Sequence, residues 1–124
     1  MNIPTNLRYT ADHEWAKLDG ELITVGITDF AQGELGDIVY VEIETLDQHI
    51  ESHTVFGTVE AVKAVSELFM PITGTIVAIN EQLQNTPELV NSDPYNEGWM
   101  IKIKPDNLAD WDTLLDAEKY AQLL

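Results

Sequence analysis

The residue whose type and setting best support chemistry is Lys63. It lies in Gly57-Thr58-Val59-Glu60-Ala61-Val62-Lys63-Ala64-Val65-Ser66, where two β-type runs meet. A lysine projecting from a tight turn can be gripped by a modifying enzyme, and the small residues Ala61, Ala64 and Ser66 leave room for that approach. Acylating the amine removes its positive charge, so an attached group can lie against apolar surface without desolvating an ammonium. From these residues alone, an ordinary exposed lysine at a hairpin tip is the simpler explanation, because surface lysines are common. Its isolation shifts that balance somewhat: between Lys17 and Lys102 it is the one lysine or arginine.

Other groups invite weaker chemistry. His49, Glu51 and His53 would share one face if their segment were a strand, and two histidines with a carboxylate can bind zinc. The segment is poorly periodic and acidic throughout, so solvated loop residues are the favoured reading and no metal site is expected. His13 beside Glu14 has the composition of an acid–base pair, but such a pair also needs a cleft and a perturbed partner. Gly74 and Gly98 suit turns. There is no phosphate loop, no dinucleotide fingerprint and no Ser–His–Asp arrangement that spacing supports. The chain is therefore expected not to be an enzyme.

Composition narrows the partners. The 124 residues carry 22 acidic and 6 basic side chains, a formal net charge of −16. A phosphate backbone or an anionic membrane would be repelled, so neither nucleic acid nor membrane is an expected partner. The charge itself fits either solubility or recognition by electropositive proteins. No cysteine is present, which removes disulfides, thiolate metal sites and cysteine nucleophiles together. The length suits one domain, 1–124, able to bury roughly two-thirds of its unfolded surface. No run approaches a membrane span, and the first residues lack an export signal. A bacterial cytoplasmic location is expected; a processed mitochondrial chain would look similar.

Several elements must position the lysine. Strands are expected over 21–27, 38–43, 55–62, 75–79 and 99–103, the last stopped by Pro105. In 55–62, Val55, Gly57, Val59 and Ala61 should point one way and Phe56, Thr58, Glu60 and Val62 the other. Thr28 can cap a helical turn that Gly33 and Gly36 then break, and a short helix is expected after Thr86-Pro87. Leu108, Trp111, Leu115 and Leu124, with Asp112 as N-cap, suggest one or two amphipathic C-terminal helices packed on the core. The pattern indicates a mainly β protein, a small sandwich or flattened barrel with a helical tail.

Glu60-Ala61-Val62-Lys63-Ala64-Val65-Ser66 resembles the lipoyl-lysine motif of glycine cleavage H proteins, roughly Glu-Ser-Val-Lys-Ala, a small residue, then Ser. The resemblance continues in order over about residues 8–120. Tyr9-Thr10, His13-Glu14-Trp15, Val25-Gly26-Ile27-Thr28, Ala31-Gln32 and Leu35-Gly36-Asp37-Ile38-Val39 precede the lysine. Pro71-Ile72-Thr73-Gly74, Val77-Ala78-Ile79-Asn80, Pro87-Glu88-Leu89-Val90-Asn91, Asp93-Pro94-Tyr95 and Gly98-Trp99-Met100 follow it. Several blocks in one order are more specific than any single motif. Three positions depart from the family pattern. Glu44-Thr45-Leu46-Asp47 replaces a Pro- and Gly-containing loop, Ala61 replaces Ser, and Glu34 stands where some members carry a histidine lining the loaded arm's resting place.

The resemblance implies a barrel-sandwich hybrid of two antiparallel sheets with short helices and a C-terminal helix. It also implies a monomeric carrier with one lipoate covalently bound at Lys63. It suggests Glu14 for receiving the arm, and by their positions Glu14 and Glu67 are both candidates for lining it. The implied role is to shuttle the aminomethyl group of glycine from a pyridoxal phosphate-dependent glycine decarboxylase to an aminomethyltransferase. A dihydrolipoyl dehydrogenase and a lipoate-attaching enzyme complete the implied partners. The alternatives are a biotinyl domain, which Val62 and Ala64 disfavour where methionines are usual, a lipoyl relay for other dehydrogenase complexes, and an unmodified adaptor.

Overall fold

β-branched and aliphatic residues dominate the segments that pair, and the computed structural model, described over residues 2–124, places them in nine strands. These are β1 (Arg8–Tyr9), β2 (Glu14–Asp19), β3 (Leu22–Ile27), β4 (Ile38–Glu42), β5 (His49–Ile50), β6 (Val55–Ala61), β7 (Val65–Phe69), β8 (Gly74–Ile79) and β9 (Ile101–Pro105). A six-stranded sheet has the order β1-β2-β3-β9-β8-β5, and a three-stranded sheet the order β4-β6-β7. Every pairing is antiparallel. This is the mainly β architecture of two antiparallel sheets that the sequence implied.

The inner faces meet over Ala16, Ile23, Val25, Val41, Phe56, Val59, Leu68, Met70, Ile76, Ile101 and Ile103, all buried. Burial of this apolar area from both sheets is the main force holding them together. β3 is buried on both faces from Ile23 to Ile27, which is why its sequence alternates only in part. Trp15 lies opposite Gly26 across the β2–β3 ladder. A Cβ on Gly26 would fall 2.7 Å from the indole nitrogen, so only glycine lets the ring lie flat there. The indole N–H donates to the Pro94 carbonyl at 2.9 Å.

Four short α-helices join the strands: α1 (Asp29–Leu35), α2 (Gln82–Asn85), α3 (Leu89–Ser92) and α4 (Ala117–Ala121), with a 3-10 turn at Leu108–Thr113. Thr28 caps α1 as expected, its hydroxyl accepting from the Ala31 N–H. Gly33 does not break that helix; the chain leaves it at Gly36, with φ 81. The C-terminal stretch differs from expectation. Asn107 and Asp116 are the caps, not Asp112, because the segment splits into the 3-10 turn and a separate helix. Leu108 and Leu124 are exposed, Trp111 and Leu115 half-buried, and the buried anchor is Tyr120, stacked on Tyr9 with ring centroids 4.7 Å apart. No helix among the described residues is long and apolar enough to cross a membrane.

β6 also departs from simple alternation. A register shift between Val55 and Gly57 turns Phe56 inward, so Phe56 and Val59 are both buried despite opposite parity. From Val59 to Ala61 the expected alternation returns, and the strand delivers the chain to the turn that carries Lys63.

Candidate attachment site

Lys63 sits at the tip of the β6–β7 hairpin, outside both strands and exposed. The hairpin closes through the Ala61 N–H donating to the Ala64 carbonyl at 2.7 Å. Its flanks are unusually bare for aliphatic residues: Val62 is 77% and Val65 68% exposed. Among the described residues no carboxylate comes within 4.0 Å of the Lys63 amine, since the one ion pair found there is His49–Asp106. An unpaired primary amine on a projecting, small-residue turn fits acylation. It would carry an amide-linked group without giving up a salt bridge.

The base of the tip is anchored to the bend after α1. The Val62 N–H donates to the Asp37 carbonyl at 3.1 Å, and the aliphatic stem of Lys63 lies over Gly36, where a Cβ would meet Cε at 3.3 Å. Asn91 on α3 holds that bend. Its amide donates to the Gly36 carbonyl at 2.8 Å and to Gln32 Oε1 at 3.0 Å, while its Oδ1 accepts from the Ile38 N–H at 2.9 Å. These contacts span more than fifty positions of sequence, so Asn91 and Gln32 were visible in sequence only as members of family blocks, and Gly36 only as a helix breaker.

The two candidate carboxylates occupy different environments. Glu67 is exposed on β7, two residues beyond Val65 and on its face of the strand. Glu14 is 2% exposed. β7 is an edge strand, and Glu14 Oε2 accepts from its Phe69 N–H at 3.1 Å, tying the two sheets together. Glu14 Oε1 lies 3.0 Å from the Thr10 hydroxyl. Burial pushes the Glu14 carboxyl up to about 8, against the lowering effect of the Phe69 N–H and the Thr10 hydroxyl. Glu67 and Phe69 thus succeed one another along β7, which begins two residues beyond Lys63. At about 3.3 Å per residue, the tip and the Glu14 contact are at most about 20 Å apart along it.

The remaining candidates separate. His13 and Glu14 make no pair: His13 has φ 67, which swings its ring away to place Nδ1 2.8 Å from the Tyr120 hydroxyl. That hydroxyl is also 2.8 Å from Thr28 Oγ1. The strand holding His49 ends at Ile50, so His49, Glu51 and His53 share no regular face. His49 Nε2 lies 2.6 Å from Asp106 Oδ2, and the His53 N–H donates to the Met70 carbonyl. Among the described residues no three histidine, cysteine or acidic side chains are grouped to hold a metal. Glu34 is exposed near the end of α1. A groove of about 410 Å³ runs beside β4, lined by Tyr40, Glu42, Ile79 and Gln84, and includes none of Lys63, Glu14 or Glu67.

Comparison with known proteins agrees with this geometry. Residues 7–124 match the family described as "Glycine cleavage H-protein". A protein of Bacteroides fragilis named "Glycine cleavage system H protein" is 56% identical, covering 97% of this chain and 95% of its own length. One of the same name from Chlorobium phaeobacteroides is 57% identical, covering 100% of this chain and 98% of its own. Among solved structures, a glycine cleavage system H protein from Mycobacterium marinum superposes with a TM-score of 0.88 at 35% identity, covering 97% of both chains. With nearly full coverage at these identities, the chain belongs to the glycine cleavage H-protein family.

Proposed function

We propose that Lys63 is the attachment point of a single lipoyl group and that the chain, as one domain over 1–124, is the lipoyl-carrying shuttle of a glycine cleavage system. The observation that carries this reading is the unpaired amine of Lys63 on a projecting hairpin whose flanking valines are left to solvent. When bound, the lipoyl group supplies the exchangeable pair of sulfurs on which glycine's one-carbon unit travels between partners. This chain's residues do the rest. The hairpin presents the arm, the face of β7 offers it a track past Glu67 toward Glu14, and the acidic surface is available to electropositive partners. Glu14 and Glu67 are the side chains we assign to the lining of that track.

Family membership supports the partner set: a pyridoxal phosphate-dependent glycine decarboxylase, an aminomethyltransferase, a dihydrolipoyl dehydrogenase and a lipoate-attaching enzyme. The chain works among them as a monomeric, non-catalytic carrier. The bacterial sources of the relatives support a cytoplasmic location.

Intact mass of protein made in lipoate-replete cells tests the assignment. One lipoyl amide per chain is expected, with peptide mapping to Lys63 and its complete loss in Lys63→Arg. A bare Lys63 under those conditions would overturn the reading in favour of an unmodified adaptor. Glycine turnover by the purified chain with no partner protein would overturn the non-catalytic role.

A further inference from the structure

We infer that Asn91 is a positioning residue for modification of Lys63, acting through the Gly36–Ile38 bend; this rests on Lys63 being the attachment point. Attachment requires the deprotonated Nζ to attack the carbonyl carbon of an activated lipoyl donor, a mixed acyl–phosphate anhydride. A C–N bond forms, the C–O bond to the phosphate breaks with its electron pair, and the one surplus amine proton passes to water. Such a step is sensitive to where Nζ sits relative to the donor, and displacements near 1 Å can cost about a hundredfold in rate.

The tip does not fix that position by itself. β6 ends at Ala61 and β7 begins at Val65, so the three residues between them lie outside the ladder, closed by one bond from Ala61 to Ala64. Two further contacts restrain them, and both lead to one bend. The Val62 N–H reaches the Asp37 carbonyl, and the Lys63 stem rests on the bare Cα of Gly36. Gly36 has φ 81, a conformation open to glycine because it has no Cβ, and the same freedom leaves the bend to be fixed by its hydrogen bonds. Asn91 supplies the hold, bonding the carbonyl of Gly36 and the N–H of Ile38 on either side of Asp37. Its orientation is determined by chemistry, because a carbonyl needs the amide's donor and an N–H needs its acceptor. Among the described residues no other side chain bonds both neighbours of Asp37. A half-buried asparagine on α3, remote in sequence from the lysine, thereby sets the platform on which the reactive amine is presented.

The test uses the full unmodified chain, a lipoate-attaching enzyme and its activated lipoyl donor. Asn91→Leu removes the donor and the acceptor; Asn91→Asp keeps the acceptor for Ile38 and loses the donor to Gly36. Both are expected to lower kcat for lipoylation by about ten- to a hundredfold, with KM for the chain changed less than about threefold. Amide exchange should quicken at Val62 and Ile38 while Val25 and Ile103 in the core stay protected. Acylation of Lys63 by a small water-soluble active ester, which requires no docking, should stay within about twofold of the parent. Full kcat in the variants, or a loss confined to KM, would overturn the inference. If Asn91→Leu also exposes core amides, Asn91→Asp decides. A parent chain that the enzyme cannot modify at all would instead refute Lys63 as the attachment point.

Discussion

Glu14 gives the sharpest prediction, because its burial has a consequence that can be followed with pH. In the fold its carboxyl titrates at about 8, against an ordinary value of 4.5. The folded chain therefore holds this proton more tightly than the unfolded chain does. Stability from this group is complete below the unfolded value, falls as pH rises between the two, and is lost above the folded value. At 1.36 kcal/mol per unit, the gap amounts to about 5 kcal/mol above pH 9 and about 3 kcal/mol at pH 7. Glu14→Gln removes the ionisation, and its carbonyl can accept from the Phe69 N–H. Its amide then faces Thr10 Oγ1, which donates to Glu14 Oε1 in the parent and already accepts from the N–H groups of residues 12 and 14, so one hydrogen bond is lost at a cost of about 1 kcal/mol at every pH. Relative to its difference from the parent near pH 4, the variant should gain about 3 kcal/mol at pH 7 and about 5 kcal/mol at pH 9. Urea unfolding across that range measures the difference. Self-repulsion of the −16 chain adds a slope of its own, which parent and variant share and which the difference removes. A difference that stays flat with pH, or a variant less stable than the parent at pH 9, would refute the reasoning.

Two other perturbations test the packing around Trp15 and Tyr120. Gly26→Ala would drive a Cβ into the Trp15 indole, 2.7 Å from its nitrogen, and break the bond to Pro94. A loss of about 2–4 kcal/mol is expected by thermal melting, with a change in tryptophan emission. Tyr120→Phe keeps the stack on Tyr9 but leaves Thr28 Oγ1 and His13 Nδ1 without their shared hydroxyl, for a loss of about 1–2 kcal/mol in urea unfolding.

What the sequence made legible follows how locally each feature is encoded. β3 and β8 stand out because their apolar runs end at strong punctuation, Thr28 after the one and Pro71 to Gly74 before the other. β2 does not, because Ala16 faces the core while Lys17, Leu18 and Asp19 are exposed, and the run carries no clear period. Two-residue strands such as β5 are set by tertiary pairing and leave no periodic trace. Lys63 was conspicuous because charge isolation and a hairpin are properties of neighbouring residues. The burial of Glu14 leaves no local trace, since the strand that bonds it, β7, is 55 positions away. The hold of Asn91 on Gly36 is hidden for the same reason. Short polar caps decide the C-terminal boundaries, and several aspartates compete there for the role that Asn107 and Asp116 take.

The row of polar atoms from His13 through Tyr120 to Thr28 has a property that its distances alone do not state. Each hydroxyl in it can turn its hydrogen either way. With a neutral ring, Thr28 donates to Tyr120 and Tyr120 donates to Nδ1; with an imidazolium, the ring donates to Tyr120 and Tyr120 donates to Thr28. Both hydrogen bonds survive either order of donor and acceptor, and through them the helix that carries Tyr120 grips the N-terminal strands. The C-terminal tail is fastened by a clasp whose two distances serve either polarity.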